Sequence, residues 1–176
     1  MPLDVDRTAV IGRWVRHGPD SAAGWPPLRV PPPDGRWNQG DVVGALYLAD
    51  SEERFWAEWF RHLAEKGLPP NEQMPRRLWQ WDVNVRVANL STLGRLERVK
   101  LGPPKPGRRT WRRYQDVGHE LWREGWLGLL APSAARPRGR VLALFREGGG
   151  RIAGVRPVGG GRRIEEPPAP PTGMTT

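Results

Sequence analysis

The sequence predicts an α+β fold, scattered strands with a few packed helices, and three observations carry that expectation. Residues 78–90, LWQWDVNVRVANL, alternate Trp79, Trp81, Val83, Val85 and Val87 against Gln80, Asp82, Asn84 and Arg86, the period of two of a half-buried strand. Residues 51–66 set Phe55, Trp56, Trp59, Phe60 and Leu63 at helical spacing, one apolar face of an amphipathic helix. Strand-like and helix-like segments follow one another without regular βαβ alternation, which argues against a doubly wound parallel sheet.

Taken in order, AVIGRWVR at 9–16 reads as a first strand. The stretch HGPDSAAGWPPLRVPPPDG follows, whose prolines and glycines forbid regular structure, and a long irregular loop is a flag for function. GALYLA, 44–49, is a short apolar run of strand type. Ser51 then offers an N-cap, with Glu52 and Glu53 suited to the positive end of a helix dipole. GLPPNEQMPR breaks that helix before the strand at 78–90. The segment 95–113 crosses a Pro/Gly loop into a helix of about 109–124, whose inner face uses Trp111, Tyr114, Leu121 and Trp122. LGLLAPSAARPRGRVLALF, 127–145, reads strand, loop, strand, and RIAGVRPV, 151–158, a last strand. The folded domain is expected to span 1–158, with 159–176 a disordered Pro/Gly-rich tail that has nothing to bury.

The 176 residues suit one domain, and ten tryptophans supply large apolar area despite a hydrophobic content of 38%, so an aromatic-rich core is expected. The absence of cysteine excludes disulfides, thiolate nucleophiles and cysteine-bound metals. No apolar run approaches a membrane span and the N-terminus lacks a signal-peptide pattern, which predicts a cytoplasmic protein. Twenty-eight Lys and Arg against nineteen Asp and Glu give a net charge of +9, favouring anionic partners. The segment 95–113 carries eight basic residues and one acid, and a solvated basic face is the simplest account of it.

Several chemistries find no support. There is no G-x-G-x-x-G or P-loop, the glycine runs at 148–150 and 159–161 read as turns or linkers, and HELWR at 119–123 lacks the second histidine of a zinc protease. With only His17, His62 and His119, widely spaced, no metal site is expected. What remains is a set of polar residues where local structure does not ask for them. Arg36 sits in the turn DGRWNQG, Tyr47 interrupts ALYLA, and Glu58 borders an aromatic helical face, each eleven positions from the last. Singly they read as a surface charge, a strand aromatic and an i,i+4 partner of Arg54 or His62.

Together, GRWN, ALYLADS and AEWFRH resemble the core signature of RES-domain proteins, NAD-consuming toxins of bacterial toxin–antitoxin pairs. Arg36 matches the arginine of the family's G-R-[FW]-N motif, and Glu58 the glutamate that follows A-L-Y-L-A. Ser133, in APSAARPRGRVLALF, matches the serine before the final apolar strand, and Arg16 corresponds to an early arginine that contacts substrate. The serine motif carries one additional alanine, and Arg140 stands where the family often has asparagine. The resemblance runs from about residue 12 to 146.

What it implies is an ADP-ribosyltransferase-like fold that binds NAD as substrate, without a metal, and cleaves its nicotinamide–ribose bond. Glu58, Arg36, Tyr47 and Ser133 are the implied catalytic set, and Arg16, Arg36, Tyr47 and Ser133 the implied NAD contacts. Guanidinium groups suit a pyrophosphate and a carboxylate suits an oxocarbenium-like transition state. Water, phosphate and a protein side chain stay open as acceptors, giving a glycohydrolase, a phosphorylase or an ADP-ribosyltransferase. A cognate antitoxin that occludes the cleft is implied as partner, and the oligomeric state stays open. The competing reading, a non-catalytic nucleic-acid binder motivated by a pI near 11.2, explains the charge but not the series Arg36, Tyr47, Glu58.

Overall fold

A computed structural model describes residues 1–21, 23–26, 30–136, 138–147 and 150–173. Strands β1 (Asp6–Pro19), β2 (Gly44–Ala49), β3 (Arg76–Asn89), β4 (Gly128–Pro132), β5 (Arg140–Arg146) and β6 (Val155–Ile164) form one sheet in the order β1-β2-β5-β4-β3-β6. An additional β1–β3 ladder closes it on itself. That ladder is antiparallel and unbroken from Asp6 opposite Asn89 to Pro19 opposite Arg76. β1 meets β2 at Val15 and Ala49, and β3 runs parallel to β4 at Ala88 and Asn89, so the barrel-like sheet is mixed. With helices packed outside it, the architecture is α+β.

The period-two pattern of β3 does what it predicts. Trp79, Trp81, Val83, Val85 and Val87 are buried in one cluster with Val10, Trp14, Leu46, Leu48, Leu142 and Leu144, the same-face residues of the neighbouring strands. A buried aromatic or aliphatic side chain contributes on the order of 2 kcal/mol, so this cluster is the main reason the ring closes. Three helices cover the outside: α1 (Glu52–Lys66), α2 (Leu93–Arg98) and α3 (Trp111–Arg123). Trp56, Trp59, Phe60 and Leu63 of α1 form their own cluster with Met74 and Ile164. α2 and α3 bury Leu96, Tyr114, Val117 and Leu121 against Ala88, Leu129, Ala131 and Ala143.

The expected elements are present with adjusted ends. Ser51 caps α1, its side chain accepting from the Arg54 N–H. β1 extends beyond 9–16 because β3 offers it a full-length partner. The short helix α2, which the sequence reading passed over, starts at Thr92, whose side chain accepts from Arg95 N–H. Part of the basic segment is neutralised there, since Arg95 pairs with Asp6 and Arg98 with Asp4 and Asp6.

The expected boundary at 158 falls inside β6. Arg162, Arg163 and Ile164 pair with Leu78, Arg77 and Arg76, so 159–164 is strand rather than tail. A glycine-rich run looks unstructured in isolation, yet the exposed edge of β3 supplies backbone partners that need no side-chain burial. Residues 165–173 form no helix or strand, and 174–176 lie outside the described residues. So do Gly148 and Gly149 of the first glycine run and Ala22, Pro27, Leu28 and Arg29 of the long loop. No helix among the described residues is long and apolar enough to cross a membrane.

Candidate active site

The turn that carries Arg36 is tied down on every side. Gly35 N–H donates to Asn38 O at 3.0 Å, and the Asn38 amide donates to Val43 O at 2.9 Å and Pro33 O at 3.2 Å. From α3, the Gln115 amide donates to Gly35 O at 2.9 Å and Asn38 O at 3.3 Å. Tyr47 completes the brace: its hydroxyl donates to Asn38 Oδ1 at 2.8 Å and accepts from Trp37 N–H at 3.0 Å. A Cβ on residue 35 would lie 2.3 Å from that hydroxyl, so glycine is required there. Burial raises the Tyr47 pKa, opposed by the Trp37 hydrogen bond and by Arg36, so it stays a neutral phenol. The polar atom that looked out of place in an apolar strand therefore shapes the Arg36 turn.

Arg36 is 8% exposed and lies between two rings, its Cζ 5.3 Å from the Tyr114 centroid and 5.9 Å from that of Trp111. Nη2 donates to Lys105 O at 2.7 Å, while Nη1 is buried without an acceptor. Its pKa is lowered, by burial first and then by Arg61, with Glu58, Tyr114 and Glu65 acting the other way. The guanidinium thus sits in the electrostatic field of Glu58 without pairing directly with it.

Glu58 and Ser133, 75 positions apart, meet. The Ser133 hydroxyl donates to Glu58 Oε1 at 2.5 Å, joined by Ala135 N–H at 3.2 Å. Ser133 Oγ in turn accepts from Ala135 and Arg136 N–H, both at 3.1 Å, a local hydroxyl-to-backbone turn motif. The other oxygen, Oε2, accepts from Arg61 Nε at 3.1 Å and Nη2 at 3.0 Å. Neither Arg54 nor His62 is the ion-pair partner of Glu58. Arg54 turns to Asp50 instead, at 2.5 Å.

Arg61 is the partner of Glu58 that sequence reasoning missed. It is 6% exposed, holds Glu58 on one side and Glu65 on the other, and Glu65 Oε1 accepts from Gly107 N–H at 2.7 Å. The segment 102–110 is thereby fastened both to α1 and to Arg36. The spacings Glu58 to Arg61 and Arg61 to Glu65 are i,i+3 and i,i+4, the signal by which it was findable.

Arg16 approaches differently. Its Nη1 donates to the Tyr47 carbonyl oxygen at 3.3 Å, and burial, with Arg76 and Arg146 nearby, pulls its pKa to about 10, still protonated at neutral pH. The structure therefore gathers Arg36, Glu58 and Ser133, sets Tyr47 behind Arg36, and brings Arg16 to the backbone of the same strand. Two cavities lie elsewhere: one of about 350 Å³ beside Trp122, Trp126 and Arg151, another of about 300 Å³ beside Thr8, Asp50 and Arg140. Segment 102–110 reaches across between Arg36 and α1, through the Lys105 carbonyl oxygen and the Gly107 N–H. Among the described residues, no group of three His, Cys, Asp or Glu is arranged to hold a metal ion.

This combination, a closed mixed sheet with outer helices and an Arg–Glu–Ser cluster on its outside, defines a class that comparison with known proteins makes specific. A chain of the crystal structure of the MbcT–MbcA toxin–antitoxin complex of M. tuberculosis superposes with a TM-score of 0.72 at 23% identity, covering 90% of this chain and 86% of that one, a likeness of fold. A probable NAD(+) phosphorylase of Mycobacterium tuberculosis is 30% identical over 137 residues, 74% of this chain. The chain spans about 60% of the length of that curated relative. The protein belongs to the RES domain family, which it matches over residues 10–165.

Proposed function

We propose that this protein is a toxin of the RES type that takes NAD as substrate and cleaves its nicotinamide–ribose bond, on an ADP-ribosyltransferase-like framework. The observation that carries the reading is the meeting of Glu58 and Ser133 near a buried Arg36 that has no carboxylate in ion-pair distance among the described residues and whose Nη1 is without an acceptor. The nicotinamide of NAD is a pyridinium, so when the glycosidic bond breaks its electron pair neutralises the ring nitrogen and no general acid is needed for departure. Positive charge develops on the ribosyl carbon, and a carboxylate already held in place stabilises that charge more in the transition state than before it. Glu58 supplies the carboxylate, and Ser133 holds one of its oxygens until the ribose hydroxyls or the nicotinamide amide take that hydrogen bond. Arg36 and Arg16 hold the pyrophosphate. The Tyr47 hydroxyl is engaged inside the protein, which leaves its ring to pack against nicotinamide or ribose. For NAD to reach Glu58, segment 102–110 must yield the hydrogen bond between Arg36 and Lys105.

The RES family match and the name of the mycobacterial relative support this assignment, and that name favours phosphate as acceptor over water or a protein side chain. Phosphate oxygen bonding to the ribosyl carbon gives ADP-ribose 1″-phosphate and nicotinamide. A toxin of this kind calls for an antitoxin that covers the site, which the likeness to a toxin–antitoxin complex supports. The test is nicotinamide release from NAD by the purified protein, with and without phosphate, and mass spectrometry of the ribose-bearing product. Glu58→Gln is expected to lower turnover about 10²- to 10³-fold with the fold intact. Wild-type turnover in a folded Glu58→Gln protein overturns the role given to Glu58.

A further inference from the structure

Two hydrogen-bond donors near the site face no acceptor. One is Nη1 of Arg36, and the other is the indole Nε1 of Trp111; both are buried. They belong to side chains within cation–π distance, the Arg36 Cζ being 5.9 Å from the Trp111 ring centroid. A third donor group, the Arg108 guanidinium, lies over the same ring at 4.9 Å. Neither Arg36 nor Arg108 has a carboxylate within ion-pair distance among the described residues, although acids are paired all around them. Glu58 and Glu65 are both engaged with Arg61. Buried donors are seldom left orphaned in folded proteins, and a cluster of them without acceptors matches a ligand that brings acceptors only. A phosphoryl group is such a ligand: it has no donors when ionised and several acceptor oxygens, and it carries the negative charge that two guanidiniums call for.

We propose that Trp111 and Arg108 act with Arg36 as an oxyanion subsite for a phosphoryl group, the indole N–H donating to one oxygen and Arg36 Nη1 to another. Trp111 begins α3 and Arg108 lies three residues before it, with Trp111 N–H bonded to Arg108 O at 2.9 Å, so one turn of chain delivers both. Tyr114, one turn further on, donates its hydroxyl to Gly102 O and Pro103 O, both at 3.1 Å, which fixes the loop against the helix. The subsite's role in turnover rests on the NAD-cleaving reading, whereas its affinity for phosphoryl groups does not. The pyrophosphate of NAD and free inorganic phosphate offer the same oxygens.

The experiment measures calorimetric binding of inorganic pyrophosphate to the wild-type protein and to Trp111→Phe, which keeps an aromatic ring near Arg36 and removes the N–H together with the pyrrole part of the indole. Wild-type binding weakened about tenfold in Trp111→Phe, the worth of one charge-assisted hydrogen bond, supports the subsite. Equal affinity in the two folded proteins, or no wild-type binding, overturns it. Should Trp111→Phe not fold, the exposed Arg108→Gln decides by the same criterion with a smaller expected loss. Steady-state nicotinamide release then identifies the source. A raised KM for NAD in Trp111→Phe assigns the subsite to the pyrophosphate, and a raised KM for phosphate assigns it to the acceptor. A wild-type protein that binds pyrophosphate but releases no nicotinamide removes the proposed activity and leaves the subsite standing.

Discussion

His17 shows what a residue gives up when it is sealed among aromatic rings. It stacks on Trp56 with centroids 3.9 Å apart, meets Phe55 and Trp59 edge-on, and accepts from Arg76 Nε through Nδ1 at 2.7 Å. Burial above all, then the charges of Arg76 and Arg16, pull its pKa down to about 2. The unfolded chain protonates the same imidazole near 6.5, the folded chain does not, so between those values the unfolded state binds more protons. Stability is therefore full above about 6.5 and falls as the pH drops, by at most about 1.4 kcal/mol per pH unit. Urea unfolding of wild type is expected to show a steeper loss from pH 7 to pH 5 than His17→Gln, which keeps an acceptor for Arg76 and does not titrate. Parallel pH profiles would count against a buried neutral imidazole. At the same scale, Glu58 was visible in the sequence as a residue out of place, but its partners were not. The i,i+4 rule offers Arg54 and His62, while the helix buries Arg61 instead, and Ser133 arrives from 75 positions away.

Among the elements, α3 decides where Arg36 points. Gly118 lets the helix lie directly on the turn: a Cβ there would stand 1.9 Å from the Trp37 carbonyl oxygen. One helical turn earlier, Gln115 reaches the carbonyls of Gly35 and Asn38. Gly118→Ala should thus force helix and turn apart, costing about 1 to 3 kcal/mol as overpacking does. It should also lower nicotinamide release by displacing Arg36, although residue 118 touches no proposed substrate contact. Urea unfolding and turnover measured on the same preparation check both; an alanine variant of unchanged stability would show that the turn can shift freely. The apolar periodicities of α1 and β3 were legible because burial on one face leaves a repeating mark. The packing of α3 on the 34–40 turn left only one glycine and one glutamine, too little to read without the fold.

For the whole molecule, the consequence of ring closure is that β3 serves three neighbours. One edge takes β1 along its full length, and the other is divided between β6 and β4. β6 also brings Ile164 to the aromatic cluster of α1, and so to the helix that carries Glu58 and Arg61. A protein ending at Val158 should lose on the order of 2 kcal/mol or more, since several ladder hydrogen bonds go at roughly 0.5 to 1.5 kcal/mol each. One ending at Glu165 should melt with the full-length protein. Thermal unfolding of the two truncations compares them, and equal melting temperatures would assign 159–164 no part in stability.

The sequence by itself determined the α+β class, the amphipathic faces, the capping of α1 and the order of the motif residues, because each is local or periodic and needs only neighbours along the chain. Tertiary structure alone decided that β1 and β3 close the ring, that the glycine-rich segment after 158 is a strand, that Ser133 meets Glu58, and that Arg36 and Trp111 keep buried donors without acceptors. Those outcomes depend on which distant surfaces come together, and the energy that selects among such pairings resides in the shared buried core rather than in any one segment.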